Sequence, residues 1–143
     1  MSFEMLEGLT SADAAFSATG STAEEVFMES ARALLSVMME DPSTVAKKER
    51  VVFTVTGGGM DLLLFSFLNE LLFYKDSARL LLRPAGLAIE ETGESFIARC
   101  DAEGETIDMK KHVFSVDVKS VTLHRLSVKK INQRWSATVV LDV

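Results

Sequence analysis

The sequence has few of the residues on which covalent and metal chemistry usually depends: one cysteine and two histidines among 143 residues. A lone cysteine excludes an internal disulfide and agrees with a cytoplasmic protein. Paired-cysteine zinc sites, the His-Glu-x-x-His metal motif, the Gly-x-Ser-x-Gly nucleophile elbow and the dinucleotide-binding fingerprint are all absent from the sequence. The common enzyme signatures are therefore missing.

These three residues are better explained by structural roles. Cys100 lies in the strand-like segment FIARCDAEG with no histidine nearby, so we predict a buried thiol. His112 lies in a predicted turn that leads into a strand, where a histidine is usually a surface or turn-stabilising residue. His124 lies in VTLHRL, within a predicted strand, and we expect it to be hydrogen-bonded on the sheet. The two histidines do not form a recognisable nucleophilic triad.

Basic residues are also fewer than acidic ones. The chain has 21 acidic and 15 basic residues, a net charge of −6. Proteins that bind nucleic acid or anionic membranes without sequence preference need a basic surface that displaces counterions. We therefore expect no stable direct binding to nucleic acid, whereas a basic protein partner agrees with the charge.

Long apolar runs are absent as well. The most apolar stretch, MDLLLFSFLNELLFY (60–74), is interrupted by Asp61, Asn69 and Glu70. A membrane-spanning helix needs about 20 predominantly apolar residues. The first ten residues have no basic segment followed by an apolar run, so a signal peptide is not predicted. We expect a soluble, cytoplasmic protein.

A first helix is predicted over residues 20–40, GSTAEEVFMESARALLSVMME. Thr22 and Glu25 have the spacing of a capping box, and Ser21 with Glu24 is an alternative pair. Apolar residues then recur every three to four positions, which is typical of one buried helical face. An Asp-Pro dipeptide ends the pattern.

Three consecutive glycines, 57–59, separate a predicted strand at 50–57 from a second predicted helix at about 60–75. A phosphate-binding loop would need a following Gly-Lys-Ser/Thr, which is absent here, so a simple loop is the better interpretation. The second helix is apolar on nearly every side and should lie at the centre of the fold.

The rest of the chain is mostly strand-like. We predict two short strands at 3–9 and 14–19 with a bend, TSAD, between them; one hairpin of 85–91 with 95–102; and another of 117–130 with 134–143. The sequence therefore predicts one α+β domain over residues 1–143, with two helices packed on a largely antiparallel sheet of about seven strands.

Two carboxylates lie where strands end. Asp13 is in the bend, and Asp142 is at the tip of the last strand, one residue before a chain end that is itself a carboxylate. Each of them alone is more often a solvated charge than a ligand. The sequence does not show whether Asp13 and Asp142 meet.

Five segments, in order and spanning almost the whole chain, resemble the archease family. They are SADAAFSATGSTAEEVF, LLLFSFLNELLF, GETIDMKKH, VKSVTLHRLSV and RWSATVVLDV. The resemblance implies a small α+β protein that is not an enzyme but assists the GTP-dependent RNA ligase of tRNA splicing and RNA repair. That ligase loads GMP onto its own histidine and joins a 2′,3′-cyclic or 3′-phosphate end to a 5′-hydroxyl; the helper promotes guanylylation and repeated turnover.

The resemblance also implies a metal site. The family's aspartate in its His-Thr-Ala-Asp segment corresponds to Asp13, its penultimate aspartate to Asp142, and its terminal residue, which contributes a backbone oxygen, to Val143. Its lysine near the site corresponds to Lys119 in VKSVT. One departure is Thr10, which stands where the family commonly has a histidine. Converging carboxylates repel each other unless a cation or protons intervene. An all-oxygen site suits Ca²⁺ or Mg²⁺, or else Mn²⁺.

Two other functions remain as alternatives. A metal-dependent enzyme that uses Asp13 as a ligand or base lacks a visible nucleophile or substrate-pocket signature. A chaperone-like or protein-modifying module predicts exposed apolar surface in place of a metal-binding tip.

Overall fold

The structure, a computed structural model, describes residues 1–6 and 13–143. Within these residues the chain forms two α-helices and eight strands. In chain order they are β1 (Ser2–Leu6), β2 (Asp13–Gly20), α1 (Ala23–Met38), β3 (Glu49–Gly57), α2 (Met60–Ala78), β4 (Leu80–Thr92), β5 (Ser95–Thr106), β6 (Ser120–Val121), β7 (Ser127–Ile131) and β8 (Arg134–Asp142). A short 3₁₀ turn, Pro42–Thr44, lies between α1 and β3.

The strands form two antiparallel sheets. In the five-stranded sheet the order is β1-β2-β8-β6, and β7 pairs with another part of β8. In the three-stranded sheet the order is β3-β5-β4. Helix α1 contacts β1, β2 and β8 of the first sheet and β4 of the second, and α2 also contacts strands of both sheets. The predicted α+β class is confirmed, with the strands divided between two sheets that have the helices between them.

The start of α1 follows the predicted capping pattern. The Thr22 hydroxyl accepts the backbone N–H of Glu25 at 3.0 Å, and the Glu25 carboxylate accepts the N–H of Ser21 at 2.6 Å. Two helix-terminal N–H groups are thereby satisfied. The helix ends at Met38, before the Asp-Pro dipeptide, because Met39 is already extended and bridges to Phe114 in a later loop.

The core is centred on α2, as its all-round apolar sequence predicts. The Phe67 ring on α2 lies 5.6 Å from the Phe27 ring of α1 and 6.1 Å from the Phe53 ring of β3, between ring centroids. All three side chains are buried. The helix is about one turn longer than predicted. Its last residue is Ala78, and Arg79, with a left-handed backbone (φ 54°), is its C-cap.

The first of the three glycines has a packing role. A Cβ on Gly57 would lie 2.5 Å from the backbone nitrogen of Leu63, so only glycine allows the end of β3 to approach the first turn of α2 this closely. Gly59 is the N-cap of α2. This geometry supports the loop interpretation over phosphate binding.

Both predicted hairpins are present, with differences. Strands β4 and β5 are longer than predicted, and a β-bulge at Pro84–Gly86 interrupts their register. In the last hairpin, β7 and β8 are joined by Asn132 and Gln133, both with positive φ, as a tight two-residue turn requires.

The first arm of the last hairpin was predicted as an unbroken strand over 117–130, and this is wrong. It forms only β6 and β7, separated by a turn in which Arg125 has a left-handed backbone (φ 54°). The Thr122 hydroxyl accepts the N–H of His124 at 3.2 Å and so stabilises the turn. His124 is therefore an exposed turn residue, not a strand residue.

Candidate carboxylate site at the tip of the five-stranded sheet

Asp13 and Asp142 meet at one end of the five-stranded sheet. Asp13 is the first residue of β2, not part of a bend, and Asp142 is the last residue of β8. The two are direct cross-strand partners. Side chains directly opposite each other in an antiparallel pair share a face, with Cβ atoms about 4.5–5.5 Å apart. The structure thus brings together two carboxylates from opposite ends of the sequence.

The line of paired residues that begins with Asp13 and Asp142 continues onto a third strand. Ser120 of β6 is the partner of Asp142 on its other side, so Asp13, Asp142 and Ser120 lie in one row across β2, β8 and β6. The backbone N–H of Lys119 donates to the carbonyl oxygen of Asp142 at 2.8 Å. The Lys119 side chain is exposed. This hydrogen bond places the backbone of the predicted lysine next to that of Asp142.

Strand alternation places this row on the face away from the core. Val139 and Leu141 of β8 are fully buried members of the hydrophobic core. Successive side chains of a strand point to opposite faces, so Asp142 lies on the other face, together with Thr138. Asp13 and Asp142 are each half-buried. The carboxylates are held by rigid strands but remain accessible.

Charge–charge repulsion is one consequence of placing two aspartates opposite each other. Two full charges 4 Å apart interact by about 1 kcal/mol in water and about 4 kcal/mol at an effective dielectric constant of about 20. None of the ion pairs within the described part of the chain includes Asp142 or Lys119. A bound cation would reduce the repulsion between neighbouring aspartates.

The donor set limits which metal fits. Among residues 1–6 and 13–143, no group of three or more His, Cys, Asp or Glu side chains is placed to hold a metal ion. The tip therefore offers two aspartates, together with main-chain oxygens near the half-buried Val143. Oxygen donors fit a hard cation that keeps much of its water. Thr10 and the other residues of the predicted bend before Asp13 lie outside the described residues.

Cys100 is fully buried, as predicted. Burial, and secondarily the charge of Asp101, raises the pKa of the Cys100 thiol to about 12. Since the thiolate is the reactive form, this cysteine is inert at neutral pH.

The sequence did not predict a second charged cluster, which surrounds the carboxylate of Glu105. The Glu105 side chain is almost fully buried and accepts hydrogen bonds from Lys111 Nζ at 2.6 Å and from the backbone N–H of Ala46 at 2.7 Å. His112 Nε2 lies 3.0 Å from the same carboxylate oxygen. The Lys111 hydrogen bond, followed by that of Ala46, lowers the pKa of Glu105 to about 2, although burial opposes the shift.

The protonation of His112 follows from its neighbours. The backbone N–H of Asp108 donates to His112 Nδ1 at 2.9 Å, so Nδ1 has no proton and Nε2–H donates to Glu105. Both ring nitrogens are hydrogen-bonded, so His112 links the turn that begins at Asp108 to Glu105 of β5 and is not available as a base. The predicted turn-stabilising role is confirmed, but a surface position is wrong, because His112 is buried.

Comparisons with known proteins agree with the resemblance. The family model described as "Archease protein family (MTH1598/TM1083)" matches residues 3–143. Protein archease of Pyrococcus abyssi is 34% identical over 133 residues, 92% of this chain and 93% of that protein. Protein archease of Methanosarcina mazei is 32% identical over 143 residues, 99% and 95% of the two chains.

Two solved structures are similar over nearly the whole chain. The solution structure of Methanobacterium thermoautotrophicum protein 1598 has a TM-score of 0.84 and 32% identity, covering 99% of this chain and 98% of that one. A Thermotoga maritima structure described as an archease, possible chaperone, has a TM-score of 0.62 and 18% identity, covering 98% of both chains. The second comparison supports the fold alone.

Proposed function

This chain belongs to the archease family, and on that basis we propose that it activates a GTP-dependent RNA ligase in the cytoplasm. In this role it promotes guanylylation of the ligase and its repeated turnover in tRNA splicing and RNA repair. The chain does not perform the ligation. This agrees with the prediction that it is not an enzyme, since the matched proteins are named archease.

One observation supports the proposal most directly. Asp13 and Asp142, the two residues that correspond to the family's metal-site aspartates, are direct cross-strand partners. Lys119 is hydrogen-bonded through its backbone to Asp142. The arrangement depends on long-range strand pairing, which the sequence does not reveal.

The residues of the tip have separate roles in this proposal. Asp13 and Asp142, with a backbone oxygen of Val143, hold Ca²⁺ or Mg²⁺, or else Mn²⁺. The cation supplies Lewis acidity and open coordination positions for oxygen atoms of the partner. The exposed ammonium of Lys119 provides positive charge for a phosphate group of the ligase's nucleotide. Because β2 and β8 fix the carboxylates, little side-chain entropy is lost on binding.

The partner is a protein, not RNA or membrane. A net charge of −6 disfavours non-specific RNA binding. In the described part of the chain, neither helix is long and apolar enough to cross a bilayer.

A chaperone is the second candidate, because the Thermotoga maritima structure is described as a possible chaperone. Several large apolar side chains are exposed here, among them Met109, Leu123 and Ile131. Exposed apolar residues that occur singly are normal for a folded protein, so they favour this function only weakly.

Substitution of the tip aspartates tests the proposal. Asp13→Ala and Asp142→Ala should reduce ligase guanylylation and multiple-turnover ligation by at least about tenfold, since a lost charged interaction is typically worth 1.5–3 kcal/mol. Circular dichroism should show that both variants remain folded, because neither residue belongs to the core. Glu90→Ala, at an exposed position of the other sheet, is the control.

Calorimetric titration with Ca²⁺ supplies an independent measurement. The unmodified chain should bind Ca²⁺, and both aspartate variants should not. Normal stimulation by both variants, or unfolding of both, would contradict the site. Turnover of RNA by this chain alone would support an enzyme, and protection of unrelated unfolded proteins would support the chaperone.

A further inference from the structure

A groove of about 420 Å³ lies between α1 and the bulged part of the β4–β5 hairpin. Its volume falls in the usual range for small-molecule sites, about 300–1,000 Å³. Apolar side chains form part of its wall: Met28, Leu35, Pro84 and Ala85. The β-bulge contributes directly, because Ala85 is the extra residue between Pro84, which pairs with Ala102, and Gly86, which pairs with Asp101. Bulges of this kind frequently border functional sites.

The groove is basic although the protein is acidic. Among the described residues that line it, three have cationic side chains, Arg32, Lys47 and Arg83, and one has a carboxylate, Glu103. The whole chain has a net charge of −6. A local excess of positive charge in an otherwise acidic surface attracts anions to this position.

Within residues 1–6 and 13–143, two of these three side chains have a carboxylate partner and the third, Arg83, does not. Arg32 pairs with Glu29 at 3.1 Å, and Lys47 pairs with Glu103 at 3.8 Å. Arg83 forms no ion pair with any of the described residues. Its half-buried guanidinium is therefore the cation best suited to an external anion.

A hydrogen bond to the main chain orients the Arg83 side chain before any ligand binds. One terminal nitrogen donates to the backbone carbonyl of Val45 at 2.9 Å. Val45 is buried and follows the 3₁₀ turn, so this acceptor is rigid. A guanidinium has five N–H donors in a planar fork that matches the oxygens of a phosphate. Anchoring one of them reduces the entropy lost when the others bind a ligand.

We propose that this groove binds a small organic phosphate, with the phosphate at Arg83 and an apolar or aromatic body against Met28, Leu35 and Pro84. A nucleoside monophosphate has this chemistry and a suitable size. The proposal goes beyond the ligase-activating role and does not depend on it, since the groove shares no residue with the aspartate tip.

Amide chemical-shift titration of the full chain tests this proposal. Adenosine monophosphate should shift the amides of Met28, Arg83 and Ala85 with saturable, millimolar or tighter affinity. Inorganic phosphate should shift Arg83 with weaker affinity, whereas adenosine and succinate should have little effect. Arg83→Gln should weaken binding of adenosine monophosphate by about tenfold or more, because charge-assisted hydrogen bonds are lost.

Two further variants keep the test independent of folding. The shorter Gln side chain does not reach the Val45 carbonyl that Arg83 contacts, so the amide spectrum of Arg83→Gln is checked for a native fold before titration. Ala85→Asp, at an exposed position, adds negative charge to the groove and should also prevent binding. Arg99→Gln, an exposed arginine on the same sheet, should bind as the unmodified chain does.

Several results would overturn the proposal. They are the absence of groove shifts with both phosphate probes, equal affinity for adenosine and its monophosphate, equal affinity for succinate and phosphate, and unchanged binding by Arg83→Gln or Ala85→Asp. Equal affinity for inorganic phosphate and adenosine monophosphate would overturn the role of the apolar wall.

Discussion

Glu105 is buried and Asp142 is half-buried, and the groups that surround the two carboxylates differ. Glu105 accepts hydrogen bonds from a lysine, a histidine and a backbone amide, and Lys48 lies 3.7 Å from its second oxygen. Asp142 instead has another aspartate, Asp13, as its cross-strand partner on one side and Ser120 on the other.

The two arrangements correspond to two roles of a carboxylate, stabilising the fold and binding an external ligand. A buried carboxylate surrounded by donors is compensated within the chain, so it stabilises the fold and is unavailable to an external ligand. Two carboxylates that are direct cross-strand partners on an outer face present oxygen atoms that an external cation can reach. The first arrangement is typical of a structural tie, and the second is typical of a binding site.

Removing the histidine of the structural cluster should have the largest effect. His112→Ala deletes a buried ring, removes one of the three hydrogen-bond donors to Glu105, and takes away the side-chain acceptor of the Asp108 amide. We expect a loss of about 2–4 kcal/mol in the free energy of unfolding, measured by urea denaturation. Ligase activation per folded molecule should not change.

His124→Ala is the matched control, because His124 lies exposed in a turn. It should change stability by less than about 0.5 kcal/mol. If His112→Ala were as stable as this control, Glu105 and His112 would not be a structural tie. If it abolished activation while remaining folded, the separation between the two clusters would be wrong.

Substitution of Lys119 at the aspartate tip should have the opposite result, with lower ligase activation and unchanged stability. Lys119→Ala should reduce ligase activation several-fold and leave the melting temperature unchanged, because the structural contact of Lys119 is a backbone hydrogen bond that alanine retains. Lys119→Arg should not restore activation, since a planar fork does not replace a compact ammonium. Lys129→Ala, at an exposed position of β7, is the control. Normal activation by both Lys119 variants would make Lys119 a solvated strand residue.

Local sequence signals predicted much of this fold because they report short-range physics. The Thr22–Glu25 spacing predicted the start of α1, and the apolar character of 60–75 predicted a central α2. Both signals depend on residues within one or two helical turns. The turn that contains His124 was missed because residues 122–126 include none of the glycine, proline, asparagine or aspartate residues that usually mark a turn.

Long-range pairing explains what the sequence did not predict. Asp13 and Asp142 belong to strands from opposite ends of the chain, so only the β2–β8 register shows that they are neighbours. Glu105 and His112 are close in sequence, but the third partner, the amide of Ala46, comes from the segment before β3. Ser120 could have been considered from its position beside Lys119, although nothing local indicates that it faces Asp142.

The smallest expected effect concerns acid stability. Hydrogen bonds from Lys111 and Ala46 lower the pKa of Glu105 from 4.5 to about 2. Between these values the unfolded chain binds a proton that the folded chain does not bind. The contribution of Glu105 to stability is therefore complete above about pH 5 and is lost as the pH falls toward 2. Glu105→Gln lacks this contribution at every pH.

Urea denaturation midpoints at several values between pH 7 and pH 2 would measure this effect. Glu105→Gln should be less stable than the unmodified chain at pH 7, and the difference should shrink as the pH falls toward 2. Glu90→Gln, exposed on β4, should follow the unmodified chain throughout. A difference that stays constant down to pH 2 would show that Glu105 stabilises the fold through its shape and not its charge. The contrast between the buried, hydrogen-bonded carboxylate of Glu105 and the cross-strand carboxylates of Asp13 and Asp142 on the outer face would then lose its electrostatic basis.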